Sequence, residues 1–196
     1  MSPRTPTPDT ADLPPLPTSQ DHFECIACTY PELRMERTAE GKVIILAPAG
    51  DGSGHRNLQI SIQLGTWAEQ DGTGIAFDSS TGFVLPGGAT RSPDASWVEL
   101  AHWNALTEEQ QEKYLPFCPA FALELMSPTD SLPETQEKMR EYIANGARLG
   151  WLLVPRLKRV EVYRPGQTLE ILADPDGLSG EDVLPGFVLN LRRVWG

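Results

Sequence analysis

Residues 92–99, SPDASWVE, set an aspartate directly after a proline at the mouth of an apparent strand. Residues 121–127, FALELMS, hold a lone glutamate inside an apolar run. An ionised carboxylate is costly to bury unless a cation or several donors meet it, so Asp94 and Glu124 each call for a positive partner. If their strands are neighbours, the two carboxylates come within about 5 Å of each other. Two converging carboxylates suit a hard divalent cation such as Mg²⁺ or Mn²⁺. The competing readings are a turn aspartate and a structural carboxylate paired with Lys or Arg. Lys138, in ETQEKMREY, follows the Glu124 strand and is placed to reach back over it. There it would polarise a metal-bound water or steady the developing charge on a phosphorane. A solvated helix lysine paired with Glu134 or Glu141 is the commoner fate of such a residue.

The elements that must position these groups are readable in outline. Residues 1–20 carry six prolines among Ser, Thr and Asp and read as a disordered tail, with one domain over 21–196. DHFECIACTYPELRM begins as a helix with Phe23, Ile26 and Ala27 inside, until Pro31 interrupts it. GKVIILAPAG is a short strand, and GDGSGHRN a Gly-rich loop that lacks a P-loop ending. LQISIQLGTWAEQ follows as an amphipathic helix marked by Leu58, Ile62 and Trp67. GIAFDSSTGFVLPGG reads as strand, turn, strand; PDASWVEL as a strand; TEEQQEK as a short helix. AFALELMS has the continuous apolar character of a central strand covered on both faces. The helix after it has Met139, Tyr142 and Ile143 inward and Asn145-Gly146 as its C-cap. WLLVP, RVEVYRP, LEIL and GFVLNL are further strands. The Glu124 strand, the helix and WLLVP form a βαβ unit, so those two strands are predicted parallel. The fold class is α/β with a mixed central sheet flanked by helices.

The chain has 196 residues with 40% hydrophobic and 22% charged content, ordinary for a globular protein. No run has transmembrane length and the N-terminus lacks a signal-peptide layout, so the expected location is the cytoplasm. A net charge of −11 speaks against a nucleic-acid partner. The charge is uneven, however: from Lys138 onward 9 Lys and Arg face 7 Asp and Glu, against 7 and 20 before it, which leaves room for a basic surface in the last third. Three cysteines without an export signal favour reduced thiols. His22, Cys25 and Cys28 would share a helix face, but zinc needs a fourth ligand, and small buried cysteines are the favoured reading.

Taken in order, RMERTAEGKVIILAP, DSSTGFVLPGG, SPDASWVE, ALELMSPTD, KMREYIANGARLGWLLVP, VEVYRPG and VLPGFVLNL resemble the Uma-type family of restriction endonucleases, within the PD-(D/E)XK nuclease superfamily. The resemblance covers roughly residues 23–196. It implies a restriction-endonuclease-like core with a four-stranded mixed sheet, metal held by Asp94 and Glu124, and an additional carboxylate from the N-terminal helix, which falls on Glu36. The superfamily's usual lysine lies two residues after the strand acid. Here that position is Met126, which can neither donate a hydrogen bond nor carry charge, and the resemblance assigns the lysine to Lys138, with Gln136 as a neutral donor nearby. It implies metal-dependent phosphodiester hydrolysis acting on nucleic acid, with DNA the expected substrate. Arg91, Arg140, Arg148, His55 and Arg56 are candidate phosphate contacts, each equally readable as solvated surface.

Two other functions are compatible with these residues. One is a nuclease-fold module without catalysis, binding nucleic acid or protein, favoured by the net charge and by Met126. The other is hydrolysis of a smaller phosphodiester. Cutting both strands of a duplex favours a homodimer, and VLPGFVLNLRRVW is apolar enough to pack at an interface or to close the sheet.

Overall fold

Strands that are apolar at every position end up in the middle of a sheet covered on both faces. The computed structural model describes residues 18–46 and 50–195. Its elements run α1 (Gln20–Thr29), β1 (Arg34–Arg37), β2 (Val43–Leu46), α2 (Asp51–Asp71), β3 (Gly74–Asp78), β4 (Phe83–Val84), β5 (Thr90–Arg91), β6 (Ala95–Glu99), α3 (Leu100–Asn104) and α4 (Glu108–Gln111). Then come β7 (Phe121–Leu125), α5 (Leu132–Ala144), β8 (Leu149–Val154), a 3₁₀ turn at Pro155–Leu157, β9 (Arg159–Tyr163), β10 (Glu170–Ala173), β11 (Gly177–Ser179), β12 (Val188–Asn190) and α6 (Arg192–Trp195).

The central sheet has the order β10-β9-β8-β7-β6-β3. Only β7 and β8 run parallel, as the βαβ unit predicts. Six strands replace the expected four, because β3 and β10 pair antiparallel onto β6 and β9 at the two edges. A second sheet, β2-β1-β5-β4, stands beside it, and β11 pairs with β12.

Strand alternation divides the core in two. Phe121, Leu123 and Leu125 of β7, with Trp151 and Leu153 of β8, pack against Ile60, Leu64 and Ala68 of α2. Ala122 and Leu152 face the other way, onto Met139 and Tyr142 of α5. Glu124 therefore lies on the α5 face. Helix α5 presses close there: a Cβ added to Gly150 would stand 2.6 Å from Met139 Cε, so glycine admits the helix to the sheet.

Several sequence expectations are corrected. The Gly-rich segment is not a loop, because α2 starts at Asp51 and only its cap, Gly50, is outside. The buried stripe of α2 is Ile60, Leu64 and Ala68, while Leu58 and Ile62 are exposed. Cys25 and Cys28 are exposed rather than buried. Leu184, Phe187, Leu189, Leu191 and Val194 of the C-terminal segment are spent inside the core under α2. The Pro-rich tail lies outside the described residues except for its last three: Ser19 caps α1 by accepting from His22 N, and Gln20 opens it. No helix among the described residues is long and apolar enough to cross a membrane.

Candidate active site

Asp94 stands immediately before β6, and Glu124 is the fourth residue of β7. The two strands are antiparallel neighbours with Ala95 opposite Leu123, so the register brings Asp94 beside Glu124. Asp94 is fixed from two directions. Its Oδ2 accepts the Leu125 N–H at 2.8 Å, and its Oδ1 accepts the Asn57 side-chain amide at 3.2 Å.

Glu36 reaches the same place from β1, a strand rather than the N-terminal helix expected for it. The β1–β2 turn closes with Gly41 at φ +87°, a conformation glycine adopts at little cost. Glu36 is buried at 2% exposure. Its Oε1 accepts from Ser92 N at 2.9 Å and from Lys138 Nζ at 2.7 Å, and its Oε2 pairs with Arg91 at 3.2 Å.

Lys138 lies on the inner side of α5. Its Nζ sits between two carboxylates, 2.7 Å from Glu36 Oε1 and 2.8 Å from Glu124 Oε1. Tyr142, one helical turn on, donates its hydroxyl to the same Glu124 oxygen at 2.9 Å. Among the described residues Glu124 Oε2 receives no hydrogen bond. Met126 continues the β7–β8 ladder through its N–H to Leu153 O at 2.9 Å, and its side chain joins the apolar α5 face.

Burial governs the protonation of this cluster. Glu124 is pushed up to about 8, first by burial and then by the charges of Asp94 and Glu36, against the opposing pull of Lys138. Burial also raises Asp94, opposed by the Leu125 N–H, Lys138, Arg34 and Asn57. For Glu36 burial is the largest influence, yet Lys138, Ser92 and Arg91 together outweigh it and the carboxyl ends up lowered. Lys138 is raised despite its burial, because two carboxylates hold its proton. Glu36 is the carboxylate we read as ionised, and Glu124 as the one that carries a proton below about pH 8.

Among the described residues no three His, Cys, Asp or Glu side chains form a ready metal cage. Both oxygens of Glu36 are committed, to Lys138 and Ser92 N and to Arg91. What remains is Asp94 and Glu124, with the Asn57 Oδ1 atom buried nearby and without a hydrogen-bond partner. Two carboxylates and a neutral oxygen form a hard, all-oxygen donor set. Mg²⁺ is commonly held by one or two carboxylates plus waters and substrate phosphate, so the residues present fit such an ion.

The remaining sequence candidates do not join the cluster as free donors. Arg91 is inside it but is committed to Glu36 and Glu141. Gln136 spends its amide on both oxygens of Glu161, at 2.9 and 3.0 Å. Arg140 is exposed and paired with Glu137, and Arg148 pairs with Glu99 at the opposite end of β6. His55 is exposed on α2, and Arg56 donates to Val194 O at 3.1 Å.

Sequence reasoning missed three residues. Asn57 went unnoticed because its segment read as loop. Arg34 shares a strand face with Glu36, which becomes visible only once the segment is a strand. Glu161 is a second buried carboxylate at 0% exposure, held by Gln136, Arg159 and the Tyr163 hydroxyl at 2.6 Å. Its signal was present in RVEVY, which has the same lone acid in an apolar run as FALEL.

Comparison with known proteins gives two findings. A family model described as "Uma2: Putative restriction endonuclease" matches residues 20–192. Among solved structures the chain is similar to a crystal structure described as a putative nuclease belonging to DUF820 from Anabaena variabilis ATCC 29413. The TM-score is 0.75 at 20% identity, covering 91% of this chain and 98% of that one. That likeness shows the fold, a restriction-endonuclease-like mixed sheet flanked by helices. No curated protein matches.

Proposed function

Since the chain belongs to the Uma2 family, we propose that it is a metal-dependent nuclease hydrolysing a phosphodiester of nucleic acid, with DNA as the substrate. The observation that carries this reading is the meeting of Asp94 and Glu124 at the junction of β6 and β7, with Lys138 Nζ 2.8 Å from Glu124. Asp94 and Glu124 would hold Mg²⁺ or Mn²⁺, which when bound supplies Lewis-acid stabilisation of charge on the phosphate. Lys138 has three N–H donors; two are used on Glu36 and Glu124, and the third is available to orient the attacking water. Glu36, tied to Ser92 N and Arg91, fixes where that ammonium stands. Asn57 and the Leu125 N–H hold the Asp94 carboxylate in one orientation. Cleavage of both strands of a duplex requires two such sites, and a homodimer belongs to this reading.

Supercoiled plasmid incubated at low salt with Mg²⁺ or Mn²⁺ tests it. Nicking or linearisation is expected with wild type and is expected to vanish with EDTA and with Asp94→Ala. Equal cleavage by wild type and Asp94→Ala would sink the proposal. A second reading, a binding module without catalysis, is favoured by one feature: Arg91, Lys138, Arg140, Arg148 and Arg159 are all ion-paired, leaving little free positive surface. It predicts Mn²⁺ or nucleic-acid binding with no cleavage in the same assay.

Glu124 makes metal binding pH-dependent. Its pKa of about 8 means that a proton occupies the carboxyl below that pH and must leave when a cation binds. Mn²⁺ affinity measured calorimetrically is therefore expected to fall about tenfold per pH unit below pH 8, and to level off above it. Titrations in buffers of different ionisation enthalpy report the released proton. A pH-independent affinity between 6 and 8 would mean that no proton leaves Glu124 on metal binding in that range.

A further inference from the structure

The cations inside the cluster are already engaged, which leaves open what meets the anionic substrate. Arg34 is placed to do so. It lies on β1 two residues before Glu36, so the two side chains leave the same face of the strand about 7 Å apart along it. Glu36 is buried and Arg34 exposed, which makes β1 run from the rim of the site into its interior. The guanidinium is not loose. Its Nη2 donates to the Ser79 carbonyl, in a turn held by Asp78, whose Oδ1 accepts from Ser80 N at 2.9 Å and from Ser80 Oγ at 2.6 Å. Among the described residues Arg34 pairs with no carboxylate, and its remaining N–H groups take no protein acceptor. Asp78 pairs with Ala95, so the Ser79 that anchors the guanidinium follows in register beside Asp94.

We propose that Arg34 is the anion-binding arm of this site, holding a non-bridging phosphate oxygen of the nucleic-acid strand beside Asp94. This rests on the nuclease reading. The planar guanidinium presents several N–H donors in a fixed fork suited to a phosphate. Anchoring one of them on a carbonyl leaves the others oriented before the substrate arrives. Arg91, the sequence candidate for this work, is enclosed by Glu36 and Glu141.

The test uses the full chain with a fluorescein-labelled oligonucleotide in Ca²⁺, read by anisotropy across a salt series, with cleavage in Mg²⁺ measured in parallel. Arg34→Ala is expected to bind about tenfold more weakly, and its slope of log affinity against log salt is expected to shrink by about one. Arg34→Lys keeps the charge, so it should keep the slope while recovering only part of the affinity. Arg140→Ala, on an exposed pair of α5, should behave as wild type. Circular dichroism confirms that each variant is folded. Arg34→Ala binding within twofold of wild type with an unchanged slope, while wild type still cleaves, overturns the role of Arg34 and leaves the nuclease reading intact. A role confined to bracing the Ser79 turn would likewise leave the salt slope unmoved. Wild type that neither binds nor cleaves overturns both.

Discussion

At pH 9, where Glu124 is ionised, Lys138→Met is expected to lower the unfolding free energy by roughly 3–5 kcal/mol, read as a shift of the urea midpoint at unchanged slope. The reason is what the substitution leaves behind. Glu36 and Glu124 are 2% and 7% exposed, and one ammonium lies within 2.8 Å of both. Methionine fills much of the volume and removes the charge. Glu36 keeps Ser92 N and Arg91, but Glu124 keeps only the Tyr142 hydroxyl. Breaking a buried pair from one side costs far more than replacing both partners. Lys138→Met with Glu124→Gln is therefore expected to recover a large part of the loss, and the double-mutant cycle to show strong coupling. The opposite outcome has a clear meaning. Active-site residues are often strained, and their removal often stabilises a protein. A Lys138→Met variant as stable as wild type would mean that the ammonium is not the cation holding these acids.

Glu161→Leu is expected to cost a similar amount, about 3–5 kcal/mol, with Mn²⁺ affinity kept. Glu161 is fully buried and receives the Gln136 amide, the Arg159 guanidinium and the Tyr163 hydroxyl. Leucine leaves all three donors without their acceptor. Glu161 and Glu124 lie on the same face, one on each side of Leu152 in the register of β9, β8 and β7. Two strand spacings separate them, roughly 10 Å, too far for a shared ion. Thermal or chemical unfolding gives the first half of the expectation and calorimetry with Mn²⁺ the second. Loss of metal affinity in a folded Glu161→Leu protein would show that Glu161 belongs to the site and does more than hold α5 on the sheet.

The parts of the site that were legible in the sequence are those set by strand periodicity. An acid amid apolar neighbours marks a buried carboxylate, and the order of strands made β6 and β7 neighbours. The parts that were not legible depend on tertiary contacts overriding local preference. Three glycines between 50 and 54 argue against a helix. Yet α2 begins at Asp51, and its first turns are held by Asn57 on Asp94 and Arg56 on the Val194 carbonyl. The helix for Glu36 is what the resemblance implies, not what RMERTAEG shows; pairing of Glu36 with Ile44 and of Arg37 with Thr90 makes the segment a strand. Gln136 was read as a donor to the site, since nothing in its surroundings announced that Glu161 would be buried beneath it. The six-stranded width came from edge strands, which resemblance to a four-stranded core does not count.

Met126 holds the strand position two beyond Glu124, and the lysine comes instead from α5. In a tripeptide arrangement the pleat of one strand would fix the spacing of acid and lysine. Here the packing of α5 on the sheet, through Met139 and Tyr142, fixes it. Ser127, Thr129 and Asp130 of the connection between β7 and α5 bind one another, with Ser127 N donating to Asp130 Oδ2 at 2.6 Å. Surface loops ordinarily accept changes of length cheaply. The rotation of α5 is fixed by Met139 and Tyr142 in the core, so an extra residue in this loop bulges outward. One inserted in α5 between Lys138 and Met139 would instead turn Lys138 about 100° away from Glu36 and Glu124 while the apolar face stayed seated. The step from Lys138 to its buried neighbour Met139 thus belongs to the active site as much as the identity of Asp94 does.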